Sequence, residues 1–219
     1  MLGFGDPVQF IVNALYLIPG LLLGLVLHEA AHAAVAVGCG DETPRLDGRL
    51  TLDPSRHLDP FGTIAVFLLN FGWARPVRIN PFRMRHRFDP ALVAAAGPLT
   101  NLLIAIAISI PLRLAIASGV AASGNQVMDV VTRVMVEAFF LNILLAVFNL
   151  LPIPPLDGYN LFATLLRRRF IGFFSWIDQN QTVVMLVLFA AVFFIPGVRH
   201  AIFSPIETLA ARYLLGLAI

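Results

Sequence analysis

Long apolar stretches separated by short polar segments dominate the pattern along this chain. Four of them contain no Asp, Glu, Lys or Arg: residues 7–27, 90–112, 138–156 and 179–198. Each is close to the about 20 residues that an α-helix needs to cross a bilayer. The pattern therefore predicts an all-α polytopic membrane protein with four or more transmembrane helices, forming one domain over residues 1–219. Residues 201–219, which Glu207 and Arg212 interrupt, are typical of an amphipathic or partly inserted helix.

The segment between the first two runs has a different pattern. In "GRLTLDPSRHLDPFG" (residues 48–62) the letters RLTL alternate as a short strand does, and the Asp-Pro pairs indicate turns. We therefore expect a small membrane-associated β-hairpin there. The following "TIAVFLLNFGWA" (residues 63–74) has about a dozen mostly apolar residues, too few to span a bilayer, and this favours a re-entrant segment.

Composition and charge support a membrane protein and suggest its orientation. The chain is 58% hydrophobic and 13% charged, against about 25% charged residues in an ordinary soluble domain. All basic residues are arginines, and they cluster in the connections between the first two and the last two runs. By the positive-inside rule both connections face the cytoplasm. We expect an integral protein of the cell inner membrane with its active site towards the cytoplasmic side. The arginines are not accompanied by the interleaved aromatic residues of a nucleic-acid-binding module, so we expect no nucleic-acid partner. Cys39 is the only cysteine, so the sequence predicts neither an internal disulfide nor a cysteine-type zinc site.

The first apolar run continues into "HEAAH", residues 28–32. Positions four apart on an α-helix lie about 40° apart around its axis, so His28 and His32 share one face. In the HExxH pattern two such histidines bind zinc, and the glutamate between them, here Glu29, is the base that activates a water molecule. Two structural histidines are the alternative, but ionisable groups inside a span are costly unless they serve a function. The motif predicts one Zn²⁺ per chain, although another divalent metal remains open.

Zinc in a catalytic site needs a third protein ligand, and Asp157 is the strongest candidate. The first and third runs both travel towards the cytoplasm, and the third ends in "FNLLPIPPLDGYNL", which puts Asp157 at a depth similar to that of His32. The prolines stop the helix, and Gly158 permits a tight turn that can point Asp157 back into the bundle. An N-cap for the next helix is the alternative role of this aspartate and is compatible with metal binding.

The remaining histidines are weaker ligand candidates. His57, beside Asp53 and Asp59, could compete for the metal but is more typical of a surface or supporting group. His86 lies in the basic connection, and His200 follows the fourth run on the opposite side, so neither is assigned to the metal.

Two asparagines inside the apolar runs are further candidates for the site. Asn101 and Asn149 would be costly in a span without hydrogen bonds. Either could bind the substrate backbone or donate to a developing oxyanion, while interhelical hydrogen bonding is an alternative, above all for Asn101. We predict substrate binding by Asn101 and a catalytic role for Asn149, which lies two turns before Asp157.

These pieces together resemble the site-2 protease family of intramembrane zinc metalloproteases, in its compact form without PDZ or CBS domains. The resemblance rests on "HEAAH", "GRLTLDPSRHLDPFG", "GWARPVRINP", "AGPLTN" and "NLLPIPPLDG", in the family's order over roughly residues 20–165. It implies that His28, His32 and Asp157 are zinc ligands, that Glu29 is the catalytic base and that Asn149 assists at the active site. It also implies that Asn101 belongs to the second-span motif and that the hairpin helps to clamp an unwound substrate.

The expected function is hydrolysis of peptide bonds within or near the transmembrane segments of membrane-tethered protein substrates. Because a helix hides its carbonyls in its own hydrogen bonds, such a substrate must unwind before attack. A membrane metal transporter or sensor is the rival class, since those also place histidines in spans, and a catalytically silent scaffold is a third possibility. The sequence does not predict the oligomeric state or the substrate.

Overall fold

The computed structural model describes residues 7–69, 73–122 and 124–216, and within these ranges the protein is built from helices. Three of the helices are long and apolar enough to cross a membrane, by their length and composition. The α-helices, in chain order, are α1 (Pro7–Gly38), α2 (Thr43–Leu46), α3 (Pro54–His57), α4 (Pro60–Leu69), α5 (Asp89–Ala117), α6 (Gln126–Asn149), α7 (Asp157–Leu166), α8 (Ile171–Gln179), α9 (Gln181–Phe194) and α10 (Pro196–Ala210).

Helices α1, α5 and α6 are the three candidate spans and pack against one another as a bundle. Small residues allow the close approach of α1 and α6, because a Cβ added at Gly20 would lie 2.5 Å from the Cα of Ala138. Further along, Ala105 and Leu112 of α5 pack with Phe139 and Ile143 of α6 in a buried apolar core. Helix α7 packs against α5, and this contact carries its first residue to the bundle.

The prediction of four transmembrane helices is not confirmed by the described residues. The first two spans are longer than their charge-free runs, and the third begins at Gln126 rather than 138, so its first turns include charged residues. The fourth predicted span, residues 179–198, is not one continuous helix, because the helical structure is interrupted at Asn180 and again before Pro196. The 14-residue α9 between them is about 21 Å long at 1.5 Å per residue, short of the about 30 Å hydrocarbon core.

The predicted β-hairpin at residues 48–62 is also wrong, since the described residues contain no named strand there. The Asp53 side chain accepts a hydrogen bond from the Ser55 backbone N–H, and Pro54 occupies the first helical position. This local capping starts the short helix α3 where alternation predicted a strand. In the described residues, the β-pairing of this segment is limited to one isolated antiparallel bridge, between Leu58 and Ala74.

The apolar segment that follows contains α4, which is ten residues long and therefore too short to span, as expected. Residues 70–72 lie outside the described residues, so the re-entrant course of segment 63–74 stays a prediction. At the C-terminal end, α10 continues through a π-helical turn, Ala211–Leu215, whose buried Leu215 joins the core of α5 and α6.

Candidate metal centre

The HExxH motif lies on α1, in its last three turns. His28 and His32 are both buried, at 5% exposure, and their Nε2 atoms lie 3.1 Å apart. The two rings meet edge to face with centroids 4.7 Å apart, as expected for side chains one helical turn apart. The motif residues therefore face the interior of the bundle.

Asp157, the first residue of α7, completes a three-residue cluster with the two histidines. Its Oδ2 lies 3.1 Å from Nε2 of His28 and 3.2 Å from Nε2 of His32. In the described part of the chain these three residues form a group that could hold a metal ion. The three candidate ligands proposed from the sequence thus lie together in space.

The loop before α7 is shaped so that Asp157 can reach the histidines. A Cβ added at Gly158 would lie 2.2 Å from the carbonyl oxygen of Leu150, so only glycine allows the start of α7 to pack this closely on the end of α6. The Pro154–Pro155 peptide bond in this loop is cis. The predicted tight turn at Gly158 is therefore a close backbone approach.

Hydrogen bonds on the far side of each ring fix the protonation of the histidines. Nδ1 of His28 lies 2.6 Å from Oδ1 of Asn101, and Nδ1 of His32 lies 2.7 Å from the carbonyl oxygen of Val93. Carbonyl oxygens only accept hydrogen bonds, so each Nδ1 carries the proton. In the neutral rings both Nε2 atoms then present lone pairs towards Asp157.

With both rings neutral, the two Nε2 atoms and Oδ2 of Asp157 are three acceptor atoms that face one another. Oδ2 of Asp157 is buried and has no hydrogen-bond partner, which is costly unless a cation lies between the groups. Ligands at about 2.0–2.1 Å from a tetrahedral zinc lie about 3.3 Å from one another. The observed separations of 3.1 to 3.2 Å match this value, so the residues present fit a zinc ion.

A network of asparagines supports His28 from behind. The Asn101 amide donates to the carbonyl oxygen of Gly24 at 3.1 Å and to Oδ1 of Asn142 at 2.9 Å. Asn142 in turn donates to the carbonyl oxygen of Ala138. With both its N–H groups used in this way, Asn101 must present its oxygen to His28.

The predicted roles of the two asparagines therefore have different structural settings. Asn101 is fully buried, so its contacts are with the histidine and the bundle. Substrate binding by Asn101 stays a prediction and would require the side chain to become exposed. Asn149 is the last residue of α6, is half-buried and donates to the carbonyl oxygen of Leu145 at 3.0 Å. Its catalytic role also stays a prediction.

Glu29 is buried, with 8% exposure, and is held by the polypeptide backbone. Its Oε2 accepts a hydrogen bond of 3.1 Å from the N–H of Val77. Val77 belongs to the non-helical residues 74–80, which we call the linker. The second carboxylate oxygen of Glu29 is not used by this bond.

The linker is fastened to the end of α1 and to the loops around it. Asp41, which is fully buried, accepts a 2.6 Å hydrogen bond from the N–H of Asn80. The Arg78 guanidinium makes two hydrogen bonds to the Asp47 carboxylate, at 2.8 and 2.9 Å. At the other end the N–H of Arg75 donates to the carbonyl oxygen of His57. These contacts hold the backbone that binds Glu29.

His57, the alternative ligand, is not part of the cluster. It is fully buried, and its Nε2 lies 2.8 Å from the carbonyl oxygen of Thr51 within the α3 loop. The metal group in the described residues comprises His28, His32 and Asp157.

The sequence reasoning missed three contributors to the site. The Val77 contact uses only a backbone N–H, which leaves no side-chain signal. Gly97 packs directly against the histidines, and a Cβ at this position would lie 2.4 Å from Nε2 of His32. The small residues of the "AGP" motif are the sequence feature that could have indicated this close contact. Asn142 was not among the predicted site residues, although an amide inside an apolar run indicates a specific hydrogen-bond partner, and this one is fully buried.

Comparisons with known proteins agree with this geometry. Residues 111–195 match the family model described as peptidase family M50. The chain is 40% identical over 177 residues to a Bacillus subtilis protein named "Putative zinc metalloprotease YwhC", covering 80% of each chain. It is 32% identical over 196 residues to the Mycobacterium tuberculosis H37Rv protein "Putative zinc metalloprotease Rip2", covering 85% of this chain and 72% of the relative.

No solved structure is a significant match to the chain. The relatives are named as zinc metalloproteases, and the buried His28, His32 and Asp157 group has the ligand types and spacing that zinc requires. The chain belongs to peptidase family M50, the site-2 protease family of zinc metalloproteases.

Proposed function

We propose that this protein is an intramembrane zinc metalloprotease that hydrolyses peptide bonds within or near the transmembrane segments of membrane protein substrates. The observation that carries the proposal is the convergence of His28 Nε2, His32 Nε2 and Asp157 Oδ2, three acceptor atoms within 3.2 Å, beside a buried glutamate. The histidines and Asp157 are the metal ligands, and Glu29 is the general base.

Bound zinc would supply Lewis acidity, which makes water nucleophilic at neutral pH and polarises a peptide carbonyl. Glu29 takes a proton from the attacking water and later passes it to the leaving amine. The Val77 N–H holds one carboxylate oxygen, so the other is left for the proton. Burial of Glu29 keeps bulk water from competing for it.

The depth of the site suits a substrate that enters from the bilayer and a water supply from one face. His32 lies six residues before the end of α1 at Gly38, which is about 9 Å at 1.5 Å per residue. The arginine-rich connections lie at this same end, so by the positive-inside rule the site faces the cytoplasm of a cell inner membrane.

The substrate must be unwound where it meets Glu29, because helical carbonyls are occupied by hydrogen bonds. Transmembrane segments that contain helix-weakening residues are therefore the preferred class. Asn149, at the end of α6 and partly exposed, is positioned on the loop side of the bundle, and we assign it to binding the substrate backbone. The spacing of the three acceptor atoms favours this catalytic function over a metal transporter, which would need ligands along a path.

The test is cleavage of a membrane-tethered substrate by full-length protein and its Glu29→Gln variant. The variant is expected to keep one zinc per chain and lose activity by a factor of about 10² to 10⁴, the usual contribution of a general base. Glu42→Gln, which changes a carboxylate outside α1 that pairs with Arg45, is the matched control and is expected to retain activity. Undiminished cleavage by Glu29→Gln would reject Glu29 as the base.

The substrates can be identified by comparing the membrane proteomes of cells that carry the parent or Glu29→Gln. Fragments present only with the parent name the targets. Zinc flux into proteoliposomes without any proteolysis would instead show a transporter.

A further inference from the structure

The turn between α7 and α8 combines three arginines with exposed aromatic and aliphatic side chains. Arg167, Arg168 and Arg169 follow the end of α7 in sequence. Four large apolar residues then lie at least half exposed on the surface: Phe170 at 50%, Ile171 at 68%, Phe173 at 58% and Trp176 at 57%. We call residues 167–176 the surface element.

The exposed apolar groups of this element are not needed to hold α8 in place. Helix α8 packs on α7 through Phe174 and Ile177, which are buried with Tyr159 and Ala163. The Asp178 carboxylate accepts hydrogen bonds from the Tyr159 hydroxyl and from Arg167. The inner face of α8 is therefore buried, whereas Phe170, Ile171 and Phe173 are exposed. Trp176 is also exposed and borders a groove that α9 lines with Val183 and Val187.

The element follows α7, the helix that starts at Asp157 of the metal centre. Helix α7 begins at Asp157, beside His32 and close to the end of the spanning part of α1. The chain reaches α7 from the end of α6, the third candidate span. Exposed aromatic rings beside arginines are typical of helices that lie in the interface between headgroups and acyl chains, and the arginines place this connection on the cytoplasmic side by the positive-inside rule.

The charges indicate which lipid the element prefers. Arg167 is paired with Asp178. Arg168 and Arg169 are exposed, and in the described ranges no carboxylate forms an ion pair with either of them. The Arg169 guanidinium lies over the Phe170 ring, 5.9 Å from its centroid. Two guanidinium groups without a carboxylate partner, next to exposed Phe and Trp, match a phosphodiester headgroup and the acyl chains beneath it.

We propose that residues 167–176 form an interfacial surface that binds anionic phospholipid in preference to zwitterionic phospholipid. The apolar residues insert at the boundary of the acyl chains, while Arg168 and Arg169 bind the headgroup phosphates. This lipid preference does not depend on proteolysis, so its test is separate from the test of the proposed function.

The test uses the full chain in neutral detergent micelles with dioleoyl phosphatidylglycerol or phosphatidylcholine, and native mass spectrometry counts the lipids retained. The parent is expected to retain the anionic lipid more strongly. Changing both Arg168→Gln and Arg169→Gln should lower retention of phosphatidylglycerol by about fivefold for each arginine and leave phosphatidylcholine unchanged. Arg168→Lys with Arg169→Lys keeps the charges and should preserve most of the preference.

A matched control removes the same charge elsewhere. Arg113 and Arg212 are exposed arginines at the far end of the bundle, with Arg113 about 30 Å along α5 from Val93. Their double change to Gln is expected to leave phosphatidylglycerol retention at the parental level. Phe173→Gln should weaken retention of both lipids, because it removes the shared apolar contact.

Three results would overturn the proposal. Equal retention of both lipids by the parent would show no preference, and equal loss in the control pair would show a general effect of charge. A change in the number of chains per micelle on changing Arg168 and Arg169 would show that the surface binds a second copy of the protein.

Discussion

The hydrogen bond between Asn101 and His28 gives a direct test of how the metal site is held. Changing Asn101→Leu keeps a side chain of similar size but removes the oxygen that lies 2.6 Å from Nδ1 of His28. The histidine then loses the partner that fixes its tautomer and its ring orientation. We expect the variant to fold and to bind zinc more weakly than the parent.

The size of the effect follows from the burial of this contact. His28 is 5% exposed and Asn101 is fully buried, so water cannot replace the lost acceptor. Loss of such a supporting hydrogen bond typically weakens metal binding 10- to 100-fold, or about 1.4 to 2.7 kcal/mol. Stability falls as well, because Oδ1 of Asn142 and the Gly24 carbonyl lose their donor, at about 1–3 kcal/mol for an unsatisfied buried group.

Asn142→Leu is the matched control for that loss of stability. It breaks the 2.9 Å bond between the two asparagines but leaves the contact of Asn101 with His28 intact. Its zinc affinity is therefore expected to fall much less than that of Asn101→Leu. Competition with a chromogenic chelator measures affinity in detergent, and thermal unfolding of the metal-free proteins measures the loss of stability.

Two outcomes would refute this reasoning. Zinc binding by folded Asn101→Leu within about twofold of the parent, well short of the 10- to 100-fold loss, would show that the amide does not orient His28. Equal losses of affinity in both variants would show that general loosening of the bundle is the cause.

Three further predictions concern the residues around this site. Gly97→Ala should abolish stoichiometric zinc binding, because its Cβ would lie 2.4 Å from Nε2 of His32. Gly38→Ala is the control and should keep one zinc per chain, because the space around Gly38 is open. One zinc per chain in Gly97→Ala would contradict this prediction. Asp157→Ala should lower bound zinc well below one equivalent by metal analysis, and unchanged stoichiometry would reject Asp157 as a ligand. Hydrogen bonds from the Arg167 guanidinium and then the Tyr159 hydroxyl lower the pKa of Asp178 in the folded protein. The ionised Asp178 therefore stabilises the fold fully above the pKa of an unfolded aspartate, about 3.9. This stabilisation is lost as the pH falls through the lowered pKa of the folded protein. Asp178→Asn should therefore unfold at a lower temperature than the parent at pH 7, with the difference shrinking in acid; a difference that does not change with pH would contradict it.

Local chemistry in the sequence was enough to predict much of the candidate site. The i, i+4 spacing of His28 and His32 fixes their common face on any helix, and α1 is one. The position of Asp157 was predicted because the first and third runs both travel towards the cytoplasm, and the structure brings its Oδ2 to both rings. What the sequence could not provide were contacts made by backbone atoms, such as the Val77 N–H on Glu29.

The errors in the predicted fold arise where local chemistry competes with a longer pattern. Asp53 and Pro54 start a helix inside a segment whose alternation predicted a strand, because capping satisfies backbone groups that a single exposed strand would leave unpaired. The fourth run, residues 179–198, contains no charged residue, but interruptions at Asn180 and before Pro196 separate α8, α9 and α10. Hydrophobicity alone cannot locate such breaks.

The contact between Glu29 and the linker has a consequence for how this enzyme tolerates mutation. Nineteen of the 20 amino acids carry a main-chain N–H, and only proline lacks one. Position 77 can therefore exchange Val for most other residues while the carboxylate keeps its partner. Side-chain variation at position 77 is therefore compatible with this contact. A proline there would remove the hydrogen bond and, with Glu29 as the proposed base, is expected to lower activity.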